Sequence, residues 1–202
     1  MRQRATQAGT TLTSLLSSWD EVNAVAVNSH GDDLYDPYFS LSFDVYTERP
    51  VRQTAARSRA FGDVGAFESS SLTHKDRFLL GEIPVRIEYK LRARFDEIVA
   101  AARRGEFTLR DAGTYALWRV SSADVTFSRD GWLERLRDSL AELPEEFWSS
   151  LRVVQAASAE HLYADLMAAT VRGDAFYFVA VSGRFLVALC ALLFTINRRF
   201  EP

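Results

Sequence analysis

The sequence predicts an α+β fold, in which a mixed β-sheet with flanking helices is followed by an all-α, up-and-down helical bundle. Alternation of apolar and polar residues, typical of strands, is confined to roughly the first hundred residues. From Leu91 onward the apolar residues recur with helical spacing almost without a break. With 48% hydrophobic residues, a chain of 202 residues can build a real core. We therefore expect an α/β domain over residues 1–104 and a helical domain over residues 105–202.

The organising stretch runs from Val22 to Glu48. It predicts a short strand over Asn23–Val27, a polar turn, and a longer strand over Tyr38–Thr47. Side chains alternate across a strand, so the longer strand should have an apolar and a polar face. The apolar face holds Phe39, Leu41, Phe43 and Val45, and the polar face holds Ser40, Ser42, Asp44 and Tyr46.

A later strand, within Ile83–Lys90, also alternates and places Glu88 on its polar face. If this strand lies beside the first, Asp44 and Glu88 approach each other, and two close carboxylates require a cation or a shared proton. The alternative is that Glu88 is an ordinary ion-pair partner of Arg86 or Lys90 within the sheet. The residues alone leave both open.

Two helical segments have more than one interpretation. The segment Pro50–Phe61 is basic, which favours a solvated helix face over a phosphate-binding patch. The final segment, Ala175–Ile196, is long enough to span a bilayer, but Arg184 lies at its middle. We therefore expect it to be the central, largely buried helix of a bundle, with no membrane partner and with Arg184 paired to an acid or reaching a cleft.

Composition excludes several classes of function. The formal charge of −3 provides no global basic field, so an extended nucleic-acid partner is not indicated. The single Cys190 cannot form an intrachain disulfide or a cysteine metal cluster. The first residues lack the apolar core of a signal peptide. A cytoplasmic location is the expectation that fits these features.

The order of elements resembles the nucleotidyltransferase superfamily, of the minimal and antibiotic-modifying type. That order is a helix, a strand, a polar turn with a serine, a strand with acids, a third strand with an acid, and then a helical bundle. The turn Val171–Asp174 and the terminal Asn197–Phe200 are also similar to the C-terminal bundles of those proteins. The resemblance covers nearly the whole chain. It implies a nucleoside triphosphate as ligand and Mg²⁺ as cofactor in active members, where strand acids hold two metal ions.

The catalytic motif departs from the family pattern of Gly-Ser, an Asp-x-Asp pair on the next strand, and one acid on the third strand. Counting without a gap, Ser40 and Ser42 stand where the aspartate pair is expected, and Asp44 lies two residues beyond. A shift of two residues would preserve side-chain parity, so that register stays open. The resemblance implies Asp44 and Glu88 as catalytic acids and metal ligands, with Asp36, Asp32 or Asp33 supplying further charge. It implies a nucleotide-binding set of Asn28, Ser29, His30, Ser40 and Ser42.

Three functions follow from this sequence. The first is a nucleotidyltransferase-fold protein with a degenerate metal site that binds a nucleotide or other ligand as a regulatory module. The second is an active Mg²⁺-dependent nucleotidyltransferase, which moves a nucleotide from a triphosphate to a small-molecule or protein hydroxyl. The third is an interaction protein that uses its helical half. The first is favoured, since serine hydroxyls are weak, neutral ligands for Mg²⁺ compared with carboxylates.

Overall fold

The computed structural model describes residues 2–28, 39–70, 72, 74–108 and 113–202. The helices in these ranges are α1 (Arg2–Ser17), α2 (Thr54–Phe61), α3 (Arg92–Arg103), α4 (Tyr115–Ser122), α5 (Trp132–Ala141), α6 (Glu145–Arg172) and α7 (Ala175–Ile196). The strands are β1 (Val22–Asn28), β2 (Leu41–Thr47), β3 (Gly65–Ser70), β4 (Lys75–Leu80), β5 (Ile83–Leu91) and β6 (Asp124–Ser128). Most boundaries lie within a few residues of those that the sequence predicts.

The described strands form one mixed sheet in the order β3-β4-β5-β2-β1-β6. Only β2 and β5 pair in parallel among them, and the other neighbours are antiparallel. The turn at Gly81 joins β4 to β5 as a tight hairpin, and its φ of 61° is readily accessible to glycine. This mixed sheet with its helices confirms the α+β fold class. One strand, β6, comes from the second half of the sequence and forms an edge of the sheet beside β1.

The chain divides into two compact units. The first comprises Met1–Ile98 and Ser122–Asp138, and the second comprises Val99–Ser121 and Ser139–Pro202. The segment around β6 belongs to the first unit because that strand pairs with β1. The expected division of the chain at residue 104 stays a prediction.

The core of the first unit lies between α1, α2 and the apolar face of the sheet. Leu12 and Leu16 of α1, and Trp19 shortly after its end, are buried. They pack against Phe43 and Val45 of β2, which are fully buried as their alternation predicts. The polar side chains of the strands therefore project from the opposite face of the sheet.

The helix α2 begins at Thr54, so the prediction of a helix from Pro50 is wrong. Arg52 lies in the extended segment before the helix, where its backbone N–H and its guanidinium both donate to Glu21. The Arg52 guanidinium also stacks 4.3 Å from the ring centroid of Trp19. These contacts hold residue 52 outside the helix. The hydrogen bond from Arg52 lowers the pKa of Glu21 to about 2.

Arg57 of α2 is buried, so neither the solvated-face nor the phosphate-patch interpretation holds for it. Its Nε donates to Asp76 Oδ2 at 2.7 Å and its Nη2 to Oδ1 at 3.0 Å. The Tyr89 hydroxyl donates to the same carboxylate at 2.8 Å. Burial and the neighbouring Asp76 charge raise the pKa of Tyr89 above its ordinary range. Arg57 and Asp76 are thus a buried ion pair that fastens α2 to the core face of the sheet.

In the second unit, α6 and α7 form an antiparallel hairpin. Gly173 ends α6 in the left-handed conformation, and the Asp174 carboxylate accepts from the Tyr177 N–H to cap α7. The helices pack through Ala159 and Leu162 of α6 and Val181 and Ala188 of α7. This confirms the predicted helix over Ala175–Ile196 and the turn before it.

The prediction that α7 is largely buried is wrong. Among the described residues it is the one helix long and apolar enough to cross a membrane by length and composition, yet only 22% of its most apolar window is buried. Since α6 covers a single stripe of α7, the remaining apolar side chains stay exposed. Arg184 is exposed as well.

The buried Arg57–Asp76 pair provides a test of this fold. Replacing Asp76 with alanine leaves a guanidinium charge buried without its carboxylate, so we expect the free energy of unfolding to fall by about 3–5 kcal/mol. Urea denaturation at neutral pH measures this. The matched control is Asp63→Ala, at an exposed position, with an expected change below about 0.5 kcal/mol. A loss below about 1 kcal/mol in Asp76→Ala would contradict the structural role of the pair.

Candidate functional site on the polar face of the sheet

The parallel pairing of β2 with β5 brings the predicted acids together. Asp44 lies beside Glu88 in register, and Ser42 lies beside Arg86. Paired residues of neighbouring strands project to the same face, so both carboxylates are on the polar face of the sheet. The predicted placement of Asp44 and Glu88 on adjacent strands is confirmed.

Asp44 is completely buried, and both of its carboxylate oxygens have partners. The Asn28 amide of β1 donates to Oδ2 at 3.0 Å. The Lys90 ammonium lies 2.7 Å from Oδ1. Lys90 is itself nearly buried, with 15% of its side chain exposed, so this ion pair is well shielded from water. The charge of Asp44 is therefore neutralised within the sheet.

Glu88 is surrounded by three cationic side chains. Its Oε1 lies 2.9 Å from Lys75 Nζ and 2.6 Å from Arg86 Nη2, and its Oε2 lies 3.8 Å from Lys90 Nζ. Burial disfavours the charged carboxylate, but the hydrogen bond from Lys75 and the charges of Lys90, Lys75 and Arg86 outweigh it and lower the pKa of Glu88. The structure combines the two alternatives that the sequence left open: Glu88 lies beside Asp44, and it also forms ion pairs with the neighbouring cations.

We call these seven side chains the polar-face cluster: Asn28, Ser42, Asp44, Lys75, Arg86, Glu88 and Lys90. Its three cations exceed its two acids, so it has a net charge of +1. Two of its buried polar atoms, Asn28 Oδ1 and Arg86 Nε, have no hydrogen-bond partner within the described part of the chain. A buried polar atom without a partner is costly, so each of these atoms calls for a partner that the described residues do not supply.

Aromatic side chains border the cluster at Lys90. The Lys90 ammonium lies 5.9 Å from the ring centroids of both Tyr46 and Phe95. Tyr46 packs in turn on Trp132 of α5, at 5.3 Å between ring centroids. The opposite border is more open, since 36% of the Arg86 side chain and 26% of the Lys75 side chain are exposed. These two cations are the most exposed charged side chains of the cluster.

The structure brings together four of the predicted site residues: Asn28, Ser42, Asp44 and Glu88. Ser40 precedes β2, which begins at Leu41 and not at Tyr38 as the sequence predicts. Predictions for Ser29, His30, Asp32, Asp33 and Asp36 lie outside the described residues.

Three cationic residues of the cluster were not predicted as site residues. The alternation in β5 already places Arg86 and Lys90 on the face of Glu88, so the sequence contained a signal for both. Lys75 comes from β4, opposite Glu88 in the register. Its place in the cluster requires a strand alignment that the sequence does not specify.

The described residues of the cluster do not fit Mg²⁺. This ion requires oxygen ligands in near-octahedral geometry. Asp44 and Glu88 instead make ion pairs with ammonium and guanidinium groups. Within the described ranges, no three His, Cys, Asp or Glu side chains are arranged to hold a metal ion. Mg²⁺ therefore stays a prediction of the resemblance.

The lowered pKa of Glu88 makes a prediction about pH. A carboxylate with a lowered folded-state pKa stabilises the protein above its ordinary pKa of 4.5, and this contribution is lost as the pH falls through the folded-state value. We expect Glu88→Gln to destabilise the protein at pH 7, with the difference from the natural protein shrinking below about pH 4.5. Urea denaturation at several pH values checks this. Glu82→Gln, at the exposed β4–β5 turn, is the control, and a pH-independent effect of Glu88→Gln would contradict the assignment.

Comparisons with known proteins support the fold and leave the activity open. Residues 111–202 match a family model described as "Domain of unknown function (DUF4037)". No curated protein matches the chain. The crystal structure of a nucleotidyltransferase-like protein from Exiguobacterium sibiricum 255-15 aligns with a TM-score of 0.51 and 16% sequence identity. The alignment covers 95% of this chain but 57% of that chain, so the present chain spans little more than half its length. The chain has a nucleotidyltransferase-like fold.

Proposed function

We propose that this protein is a metal-independent binding module of nucleotidyltransferase-like fold, which holds the phosphate groups of a nucleotide at the polar-face cluster. The observation that carries the proposal is Lys90, whose ammonium lies between Asp44 and Glu88. In active enzymes that this chain resembles, metal ions neutralise such acids. Here a side chain of the protein supplies the positive charge. The module's role is then regulatory and not catalytic.

Displacing Lys90 by Mg²⁺ is unfavourable for a physical reason. Asp44 and Lys90 form a shielded pair, and the loss of this pair offsets the gain from a new contact between Mg²⁺ and the Asp44 carboxylate. The metal must also shed water, which Mg²⁺ does reluctantly. Ser42, the cluster's hydroxyl beside Asp44, is a weak replacement for the expected aspartate. These costs support phosphate binding without the metal.

The cluster has the chemistry that a nucleotide requires. Arg86 and Lys75 are partly exposed cations, and the Arg86 guanidinium, whose Nε–H has no partner in the described part of the chain, matches phosphate oxygens well. Asn28 Oδ1 is a buried acceptor that can receive a hydroxyl or amino proton from the same ligand. An anion combined with a hydroxyl or amino donor describes a nucleotide better than it describes inorganic phosphate.

The alternative function is active Mg²⁺-dependent transfer of a nucleotide from a triphosphate to a small-molecule or protein hydroxyl. One observation favours it: Asp44 and Glu88 are aligned in register on adjacent strands, as a shared metal site requires. It also needs a further acid, for which the loop residues Asp32, Asp33 and Asp36 are the predicted sources. It needs Lys90 to move as well. A cytoplasmic compartment, compatible with the single Cys190, is proposed for either function.

Isothermal titration of ATP and GTP, each with Mg²⁺ and with EDTA, tests the proposal. We expect similar affinity in both conditions, and weaker binding at higher salt because the contacts are ionic. Arg86→Met removes a charge-assisted hydrogen bond and should weaken binding about ten- to a hundredfold. Arg59→Met is the matched control, because Arg59 is exposed on α2, on the other side of the sheet. Binding that is unchanged in Arg86→Met would contradict the proposed site.

Two further variants distinguish binding without metal from catalysis. Lys90→Met removes the ammonium that pairs with Asp44 and should raise Mg²⁺ affinity, and the double variant Ser40→Asp, Ser42→Asp should raise it further if the gapless register is correct. If the natural protein requires Mg²⁺ for nucleotide binding and loses binding in Asp44→Asn, the active enzyme replaces our proposal. If none of these proteins binds nucleotide, the interaction function of the helical half becomes the better hypothesis.

A further inference from the structure

One face of α7 is apolar, exposed and uncovered by α6. The side of α7 that packs on α6 is marked by Val181 and Ala188, and the buried Thr195 lies on the same side of the helix. The opposite side carries Val179, Gly183, Leu186, Cys190 and Leu193, which we call the α7 stripe. From this arrangement we infer that the α7 stripe binds the same stripe of a second copy of the chain, in an antiparallel pair related by a two-fold axis. Two α6–α7 hairpins then form a four-helix assembly.

The spacing of the stripe is that of a helix–helix seam. Its members are separated alternately by four and three residues, the repeat that keeps a seam facing a partner helix in coiled coils. No charged residue occurs within the stripe. Gly183 has open space around it, which permits close approach of a second backbone. A helix that is apolar on all sides is normally buried, so this face requires a cover.

The exposed area is sufficient for a dimer. Val179 is 71% exposed, Leu186 60% and Leu193 58%, and the flanking Phe176 is 86% exposed. Together with their apolar neighbours on α7, these side chains offer on the order of 800 Å², about the area that each partner contributes to a stable interface. An exposed apolar area of this size on one helix is unusual for a monomer.

A second copy also provides shape and charge complementarity. Near its C-terminal end, the stripe borders a groove of about 570 Å³ lined by Cys190, Leu193, Phe194, Asn197 and Arg199. Antiparallel pairing with Leu186 near the axis brings Phe176 of the second copy to this groove. The same pairing brings Asp174, at the start of one α7, alongside the exposed Arg199 after the end of the other. The antiparallel helix dipoles also favour it.

A lipid bilayer is less suitable than a second copy of the chain for burying the α7 stripe. Insertion of α7 would bring α6 with it, because the two helices pack along their lengths. The exposed surface of α6 includes Glu160 and His161, and the exposed Arg184 lies in the middle of α7. Charged groups at the centre of a bilayer are costly, by about 3 kcal/mol or more for each. These charges remain in water when a second copy covers the stripe.

Sedimentation equilibrium of the natural chain and of Leu186→Glu tests the inference. We expect the natural chain to be a dimer at micromolar concentration, and Leu186→Glu to weaken dimerisation at least a hundredfold by burying a carboxylate near the axis. Far-UV circular dichroism should be unchanged, because Leu186 is exposed in one copy. The matched control, Leu72→Glu, alters a 93% exposed leucine in the first unit and should remain dimeric.

Cross-linking tests the orientation. In the Cys190→Ser background, Leu186→Cys should form a disulfide-linked dimer on oxidation, whereas the two natural Cys190 residues lie about 12 Å apart and should not. Rapid disulfide formation through Cys190 would overturn the antiparallel pairing. A natural chain that is monomeric up to about 100 µM, or a dimer unaffected by Leu186→Glu, would overturn the interface. Cosedimentation of a monomer with phosphatidylcholine vesicles would assign the stripe to a membrane.

Discussion

The parallel pairing of β2 with β5 is the constraint on which the site depends. It fixes Asp44 beside Glu88 and creates a local excess of negative charge that the fold must neutralise. Lys90 does this for both acids, and Arg86 and Lys75 complete the neutralisation of Glu88. Because the cations come from the same sheet as the acids, the arrangement forms with the fold itself. A metal ion would have to compete with side chains that are already in place.

On each face of the sheet at β5, cationic side chains neutralise a carboxylate, but the two groups differ in their burial. On the core face, Tyr89 donates to Asp76, which Arg57 neutralises, and the whole group is buried. On the polar face, Arg86 Nε has no partner among the residues that the structure describes, and the Arg86 side chain is partly exposed. A fully satisfied buried network stabilises one conformation, whereas a partly exposed cluster that contains unpartnered polar atoms is suited to bind a ligand. This difference is the reason we propose a binding role for the polar face and a structural role for the core face.

The sequence predicted what depends on alternation and failed where packing decides. The positions of Asp44 and Glu88 and the helix over Ala175–Ile196 follow from local periodicity. The role of Arg57 does not, because its partner Asp76 is nineteen residues away on a strand whose pairing is set by the tertiary fold. The start of α2 was mispredicted for a related reason, since Glu21 fixes Arg52 from another element.

The exposure of α7 could not be predicted from the sequence for a similar reason. Apolar periodicity indicates that a helix will be covered, but it does not indicate by what. In the second unit α6 packs on one side of α7. The apolar pattern of α7 does not indicate which surface packs against its other sides. The α7 stripe and the polar-face cluster share no residue and belong to different compact units. Loss of self-association would therefore leave the nucleotide proposal untouched, and a cluster that binds no nucleotide would leave the dimer interface equally well supported.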